Sequence, residues 1–119
     1  MAGKFSREKG ARFERQLVQI FIDEGWGKGT SRRGWCQRFQ KGHPDVLVTE
    51  LPYLWVEAKG QEKFLSAKLR KALIQADLDC TEAGFPFEVP VVVSKESHCE
   101  VYVTLKLTDL LRIIRGEFE

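Results

Sequence analysis

The segment His43-Pro44-Asp45-Val46-Leu47-Val48-Thr49-Glu50-Leu51-Pro52-Tyr53-Leu54-Trp55-Val56-Glu57-Ala58-Lys59 constrains this chain more than any other. Two apolar, β-branched runs, Val46 to Thr49 and Tyr53 to Val56, flank Glu50, Leu51 and Pro52, which predicts two strands joined by a tight turn. With the turn centred near Leu51, antiparallel pairing sets Asp45 opposite Glu57 to within about one residue. Side chains alternate along a strand, so Glu57 and Lys59 project from one face. Two carboxylates and an amine are thereby gathered at one point. Adjacent acids repel and are costly to desolvate, so the cluster calls for a compensating charge, which a divalent cation supplies. The competing expectation is an exposed Glu57–Lys59 ion pair on a surface strand. Against it, Leu54, Trp55, Val56 and Ala58 predict a strand buried on both faces, where idle charges are expensive.

Upstream, Ser6 is a candidate cap for a helix whose apolar stripe is Phe13, Leu17, Ile20 and Phe21. Glu14 borders that stripe, where it either pairs with Arg7, Lys9 or Arg15 in solvent or leans into a site on the sheet below. Downstream, Leu69, Leu73, Ala76 and Cys80 define a helix over Ser66 to Ala83, stopped by Gly84. Phe87 to Val93 and Cys99 to Leu105 read as strands around a turn at Ser94 to Ser97, and Thr108 caps a last helix through Ile114. The order predicts one α/β domain over residues 1–119, with a mixed central β-sheet of about four or five strands flanked by helices.

Taken together, Lys9-Gly10-Ala11-Arg12-Phe13-Glu14, Pro44-Asp45 and Val56-Glu57-Ala58-Lys59 resemble the PD-(D/E)xK nuclease superfamily, and within it archaeal-type Holliday junction resolvases and small phage nucleases. The resemblance spans roughly residues 9 to 93 and implies a restriction-endonuclease-like core. It also implies roles: Asp45 and Glu57 as metal ligands, the Ala58 backbone carbonyl completing the metal shell, and Lys59 positioning or activating the attacking water. Glu14 becomes an additional acidic site residue and metal ligand, and Gln75 matches a glutamine that many of these nucleases carry on the helix after the core strands. One departure stands out. Where junction resolvases of this type carry an Arg-x-x-Gly-Ser-Gly-like loop, this chain has Gly29-Thr30-Ser31-Arg32-Arg33-Gly34, which favours nuclease chemistry over junction specificity.

The formal net charge is only +2, too small to argue for a polyanionic partner, but its distribution is uneven. From Gly25 to Pro44 there is no acid, while Lys28, Arg32, Arg33, Arg38 and Lys41 are interleaved with Trp26, Trp35 and Phe39. Cations leading directly into an acidic site draw a phosphate backbone toward it. The expected DNA-contacting set is Lys9, Lys28, Ser31, Arg32, Arg33, Arg38, Lys41 and Lys63. At 119 residues and 43% hydrophobic content the chain buries a core without staples. Cys36, Cys80 and Cys99 are odd in number, lack a C-x-x-C pair and predict reduced thiols. With no 18-residue apolar run and no signal-like start, a cytoplasmic protein is expected, in the host cytoplasm if a phage encodes it.

These readings converge on a magnesium- or manganese-dependent endodeoxyribonuclease that hydrolyses phosphodiester bonds, acting on branched DNA such as four-way junctions, as a homodimer. The size of the domain supports the dimer, because one site per chain makes one cut and a two-fold axis places the second. Leu110, Leu111, Ile113 and Ile114, or Trp35 and Phe39, are the candidate dimer residues. The alternatives are a VRR-NUC-like repair or flap nuclease and a non-catalytic DNA-binding subunit of the same fold.

Overall fold

The computed structural model describes residues 2–26, 32–33, 43–61 and 66–119, with side chains described for 10–26, 43–60 and 66–119. Its elements, in chain order, are α1 (Ala2–Asp23), β1 (Arg32–Arg33), β2 (Val46–Leu47), β3 (Leu54–Gln61), α2 (Ser66–Ala83), β4 (Val89–Glu96), β5 (Val101–Thr104) and α3 (Leu107–Ile114). The strands form one mixed sheet in the order β1-β2-β3-β4-β5. Only β3 and β4 run parallel; the other neighbours are antiparallel. The parallel pair is joined through α2, as a parallel connection requires a crossover long enough to return the chain to its starting edge. The expected α/β domain with a mixed sheet flanked by helices is therefore present.

Alternation along β3 divides the core in two. Val56 and Ala58 join Phe13 and Leu17 of α1, Val46, Val48 and the odd-numbered valines 89, 91 and 93 of β4 in the larger cluster. Trp55 instead packs with Ala76 and Cys80 of α2, its ring edge-on to Phe87 at 5.1 Å. So α1 covers one face of the sheet and α2 the other. Cys80 lies in this second core as expected, and burial pushes its thiol up to about 11, which leaves it unreactive as a nucleophile. α3 closes the end where β3 and β4 begin: Phe118, just beyond it, stacks on Tyr53 at 4.5 Å, and Arg112 approaches Glu88 at 3.9 Å.

Several boundaries differ from the sequence expectation. β3 carries Glu57 and Lys59 as expected and continues to Gln61, because Glu57 to Gln61 pair in register with Val92 to Glu96 of the parallel neighbour. Thr49 lies outside β2, which ends at Leu47. The final turn falls at Glu96 to Cys99, closed by the Cys99 N–H donating to the Glu96 carbonyl at 3.1 Å, rather than at Ser94 to Ser97. Ser6 sits inside α1, which begins at Ala2, and Thr108 sits inside α3, whose N-cap is Lys106 without a side-chain cap bond. By contrast α2 matches its expected span, and Gly84 follows it at φ +74°, the left-handed conformation that ends helices and that glycine adopts without strain. Arg32 and Arg33, expected on a loop, form the short β1 against Val46 and Leu47. Trp35 and Phe39 lie outside the described residues.

Leu17, 1% exposed, is the residue through which α1 grips the sheet. Leu17→Ala is expected to lower unfolding stability by about 2–5 kcal/mol, whereas Leu78→Ala, at an exposed position on α2, is expected to change it by less than about 0.5 kcal/mol. Urea denaturation of the two variants checks this.

Candidate active site

Three of the sequence-predicted side chains meet where β2 crosses beside β3. Val46 pairs with Val56, and the Asp45 N–H donates to the Val56 carbonyl at 2.9 Å, so Asp45 lies alongside Glu57 as the hairpin register required. Buried Pro44 anchors the chain just before Asp45. The Asp45 carboxylate is then fixed by the strand itself: its Oδ2 accepts the Ala58 backbone N–H at 2.9 Å. That bond bridges the two elements and aims one acid at the other.

Glu57 follows Trp55 by two residues and so emerges on the same face, toward α2. Its side chain is 18% exposed, and the Trp55 indole Nε1–H donates to its Oε1 at 3.3 Å. Burial, and after it the charge of Asp45, push the Glu57 carboxyl from 4.5 up to about 7, against the opposing pull of Lys59 and the indole. Lys59, two residues further along the same face, places its Nζ 4.0 Å from Glu57 Oε2 and keeps 44% of its side chain exposed. The pair is thus neither the fully solvated surface contact of the competing expectation nor a neutralised buried one. Its lysine is free to face a ligand while its carboxylate is held back from water.

Asp79 of α2 also raises the Glu57 carboxyl, which puts a third acid in the electrostatic surroundings of the pair. Gln75 lies exposed one helical turn earlier, and its Nε2 donates to Asp79 Oδ1 at 3.0 Å. Its described bond therefore runs to Asp79. The sequence reading gave neither Trp55 nor Asp79 a place in the site. Trp55 was legible as a same-face neighbour of Glu57 at i, i+2, whereas Asp79 depends on how α2 lies across the sheet.

Glu14 is half-buried on α1, one residue from Phe13, whose ring packs on Gly60. Because α1 covers the face bearing Val56 and Ala58, the alternation of β3 turns Glu57 and Lys59 the other way. Among the described residues no group of three or more His, Cys, Asp or Glu side chains is gathered closely enough to hold a metal. The Asp45–Glu57 pair fits a hard divalent cation: two apposed carboxylates, one of them driven toward protonation by burial and then by the charge of the other.

Of the expected DNA-contacting residues, Arg32 and Arg33 lie on β1, beside the strand that follows Asp45, and Lys9 lies within α1. Lys28, Ser31, Arg38, Lys41 and Lys63 lie outside the described residues. Among the described residues no helix is long and apolar enough to cross a membrane. Comparisons of the chain with protein-family models, with curated proteins and with solved structures found no match.

The raised Glu57 carboxyl has a stability consequence. Between about pH 4.5 and 7 the folded protein holds a proton that the unfolded chain has released, so stability falls as pH rises through that window and the deficit is complete above it. Glu57→Gln is expected to be more stable than the parent near pH 8, by on the order of 1–2 kcal/mol, and to flatten the pH dependence across the window. Denaturant midpoints at about pH 5 and pH 8 for both proteins measure it; equal slopes would contradict the buried-charge assignment.

Proposed function

We propose that the protein is a divalent-metal-dependent endonuclease with a restriction-endonuclease-like core, acting on DNA. The observation that carries this reading is the apposition of Asp45 and Glu57, with Lys59 on the same face of β3 and the Glu57 carboxyl poised near 7. A pair of acids placed at such electrostatic cost is what a cation site needs, and a half-exposed amine beside it is what a phosphodiester needs. Asp45 and Glu57 would hold magnesium or manganese, with the Ala58 carbonyl as a further oxygen. When bound, the cation polarises the phosphoryl oxygen and lowers the pKa of the attacking water. The chain's own groups do the rest: Ala58 N–H keeps Asp45 oriented, Trp55 orients Glu57, and Lys59 aligns the nucleophile or meets the charge developing on the phosphate. Glu14 and Gln75 enter as flanking residues, and Arg32 and Arg33 as backbone-contacting cations.

Asp45→Asn, Glu57→Gln and Lys59→Ala are each expected to lower cleavage at least 100-fold while leaving DNA affinity within about threefold, because cations elsewhere supply most of the binding energy. Activity is expected with magnesium or manganese and none in EDTA. Parental turnover in any of these folded variants, or undiminished cleavage in excess chelator, would sink the assignment.

Branched DNA, and the four-way junction in particular, is the proposed substrate, and a two-fold homodimer the proposed form. Leu107, Leu110, Leu111 and Ile114 leave an apolar strip exposed along α3, while Ile113 packs on the core, so the C-terminal helix carries the surface such a dimer would use. Light scattering at micromolar concentration is expected to give a dimer, and a panel of linear, flapped and four-way DNA to be cut fastest at the junction. A monomer that prefers flaps would favour the repair-nuclease reading instead.

A further inference from the structure

The C-terminal ends of β3 and β4 open onto a cleft of about 310 Å3 that plays no part in the carboxylate site. Its floor follows from register. Gly60 pairs with Lys95 across the parallel ladder, and both lie on the face that α1 covers, since Val91 and Val93 precede Lys95 at the same alternation. Gly60 has no side chain, so the space beside the Phe13 ring stays open; a Cβ there would stand 3.5 Å from Phe13 Cδ2. Arg12 and Gln16 of α1 form one wall, and Ser97 and His98 of the turn into β5 form the other.

Two features mark this cleft as built for an anion. Arg12, Lys95 and His98 bring three basic side chains to it from two separate elements and a turn, against a single lining carboxylate, Glu96. His98 occupies the third position of the Glu96–Cys99 turn at φ +63°, a left-handed conformation that glycine would adopt without penalty. A side chain other than glycine is uncommon at such a position, and this one lines the cleft. The location agrees: ligands of open α/β sheets collect beyond the carboxyl ends of parallel strands.

We propose that this cleft binds a backbone phosphate of a nucleic-acid strand, with Arg12, Lys95 and His98 as its donors. The proposal rests on the nuclease reading for the identity of the strand. Lys59 and Gly60 are consecutive, one facing each side of β3, so a nucleic-acid strand crossing the end of β3 would run from the carboxylate site toward the cleft. The cleft would hold a phosphate away from the one being cut, and a second anchor fixes the direction of the strand across the site.

The test measures binding separately from cleavage. Fluorescence anisotropy of labelled linear, flapped and four-way DNA in EDTA, over a salt series, compares the parent with Arg12→Ala/Lys95→Ala, with His98→Gly and with Arg115→Gln as a control at the far end of α3. The double variant is expected to bind about tenfold or more weakly and to flatten the dependence of log affinity on log salt by roughly one unit for each phosphate it no longer neutralises. His98→Gly, which suits the backbone of the turn, is expected to keep the parental melting temperature and bind several-fold more weakly. Amide shifts of Gly60, Lys95 and Ser97 on titration with a thymidine dinucleotide provide a readout that needs no variant. Parental affinity and salt slope in the folded variants, with unmoved amides, overturn the cleft while leaving the nuclease reading intact. Cleft-dependent binding by a parent protein that cuts nothing with magnesium or manganese supports the cleft and removes the nuclease. A parent that binds no DNA overturns both.

Discussion

A charged residue placed inside the strand that the two faces of the molecule share is the constraint on which the rest depends. β3 pairs with β2 on one side and β4 on the other and packs on α1 and α2 through alternate side chains. Trp55 and Val56, one per face, are each almost wholly enclosed. Glu57 comes next, at a point where solvent has been excluded by its neighbours and where a second carboxylate arrives from β2. Every feature of the site follows from that juxtaposition: the raised carboxyl, the indole bond that partly satisfies it, the backbone amide that fixes Asp45, and the lysine left half in solvent.

A folded protein does not minimise its energy by placing two carboxylates together, and the cost is greatest above about pH 7, where the Glu57 carboxyl ionises. Hydrophobic packing on both faces of β3 supplies the stability that offsets it. A cation of the kind proposed would relieve the repulsion that folding imposes. The sheet also separates these features by face and by end. The carboxylates and Lys59 look toward α2, the cleft at Gly60 and Lys95 opens beneath α1, and α3 closes the opposite end of the sheet.

Much of this was written in local pattern. The Asp45–Glu57 apposition followed from counting residues across a turn, because an antiparallel register is set by the turn and the apolar alternation together. α2 was legible to its ends, since a four-three-four apolar spacing and a terminal glycine act within one helix. The errors have an equally local origin. Ser6 and Thr108 are good capping residues, but helix ends are also set by what packs beyond them, and both helices begin further upstream. The run Val89 to Ser94 contains nothing to say where β4 stops; its parallel partner holds it in the sheet as far as Glu96.

The sequence by itself determined the α/β order of elements, the hairpin register and the presence of two acids and a lysine on it, because these depend on side-chain periodicity and turn residues within some fifteen positions. Only the tertiary structure decided which helix faces the acids, that Asp79 stands in their electrostatic surroundings, and that Arg12, Lys95 and His98 share a cleft. Those relations join residues tens of positions apart, and they are set by how α1 and α2 pack across opposite faces of one sheet, which local spacing does not encode.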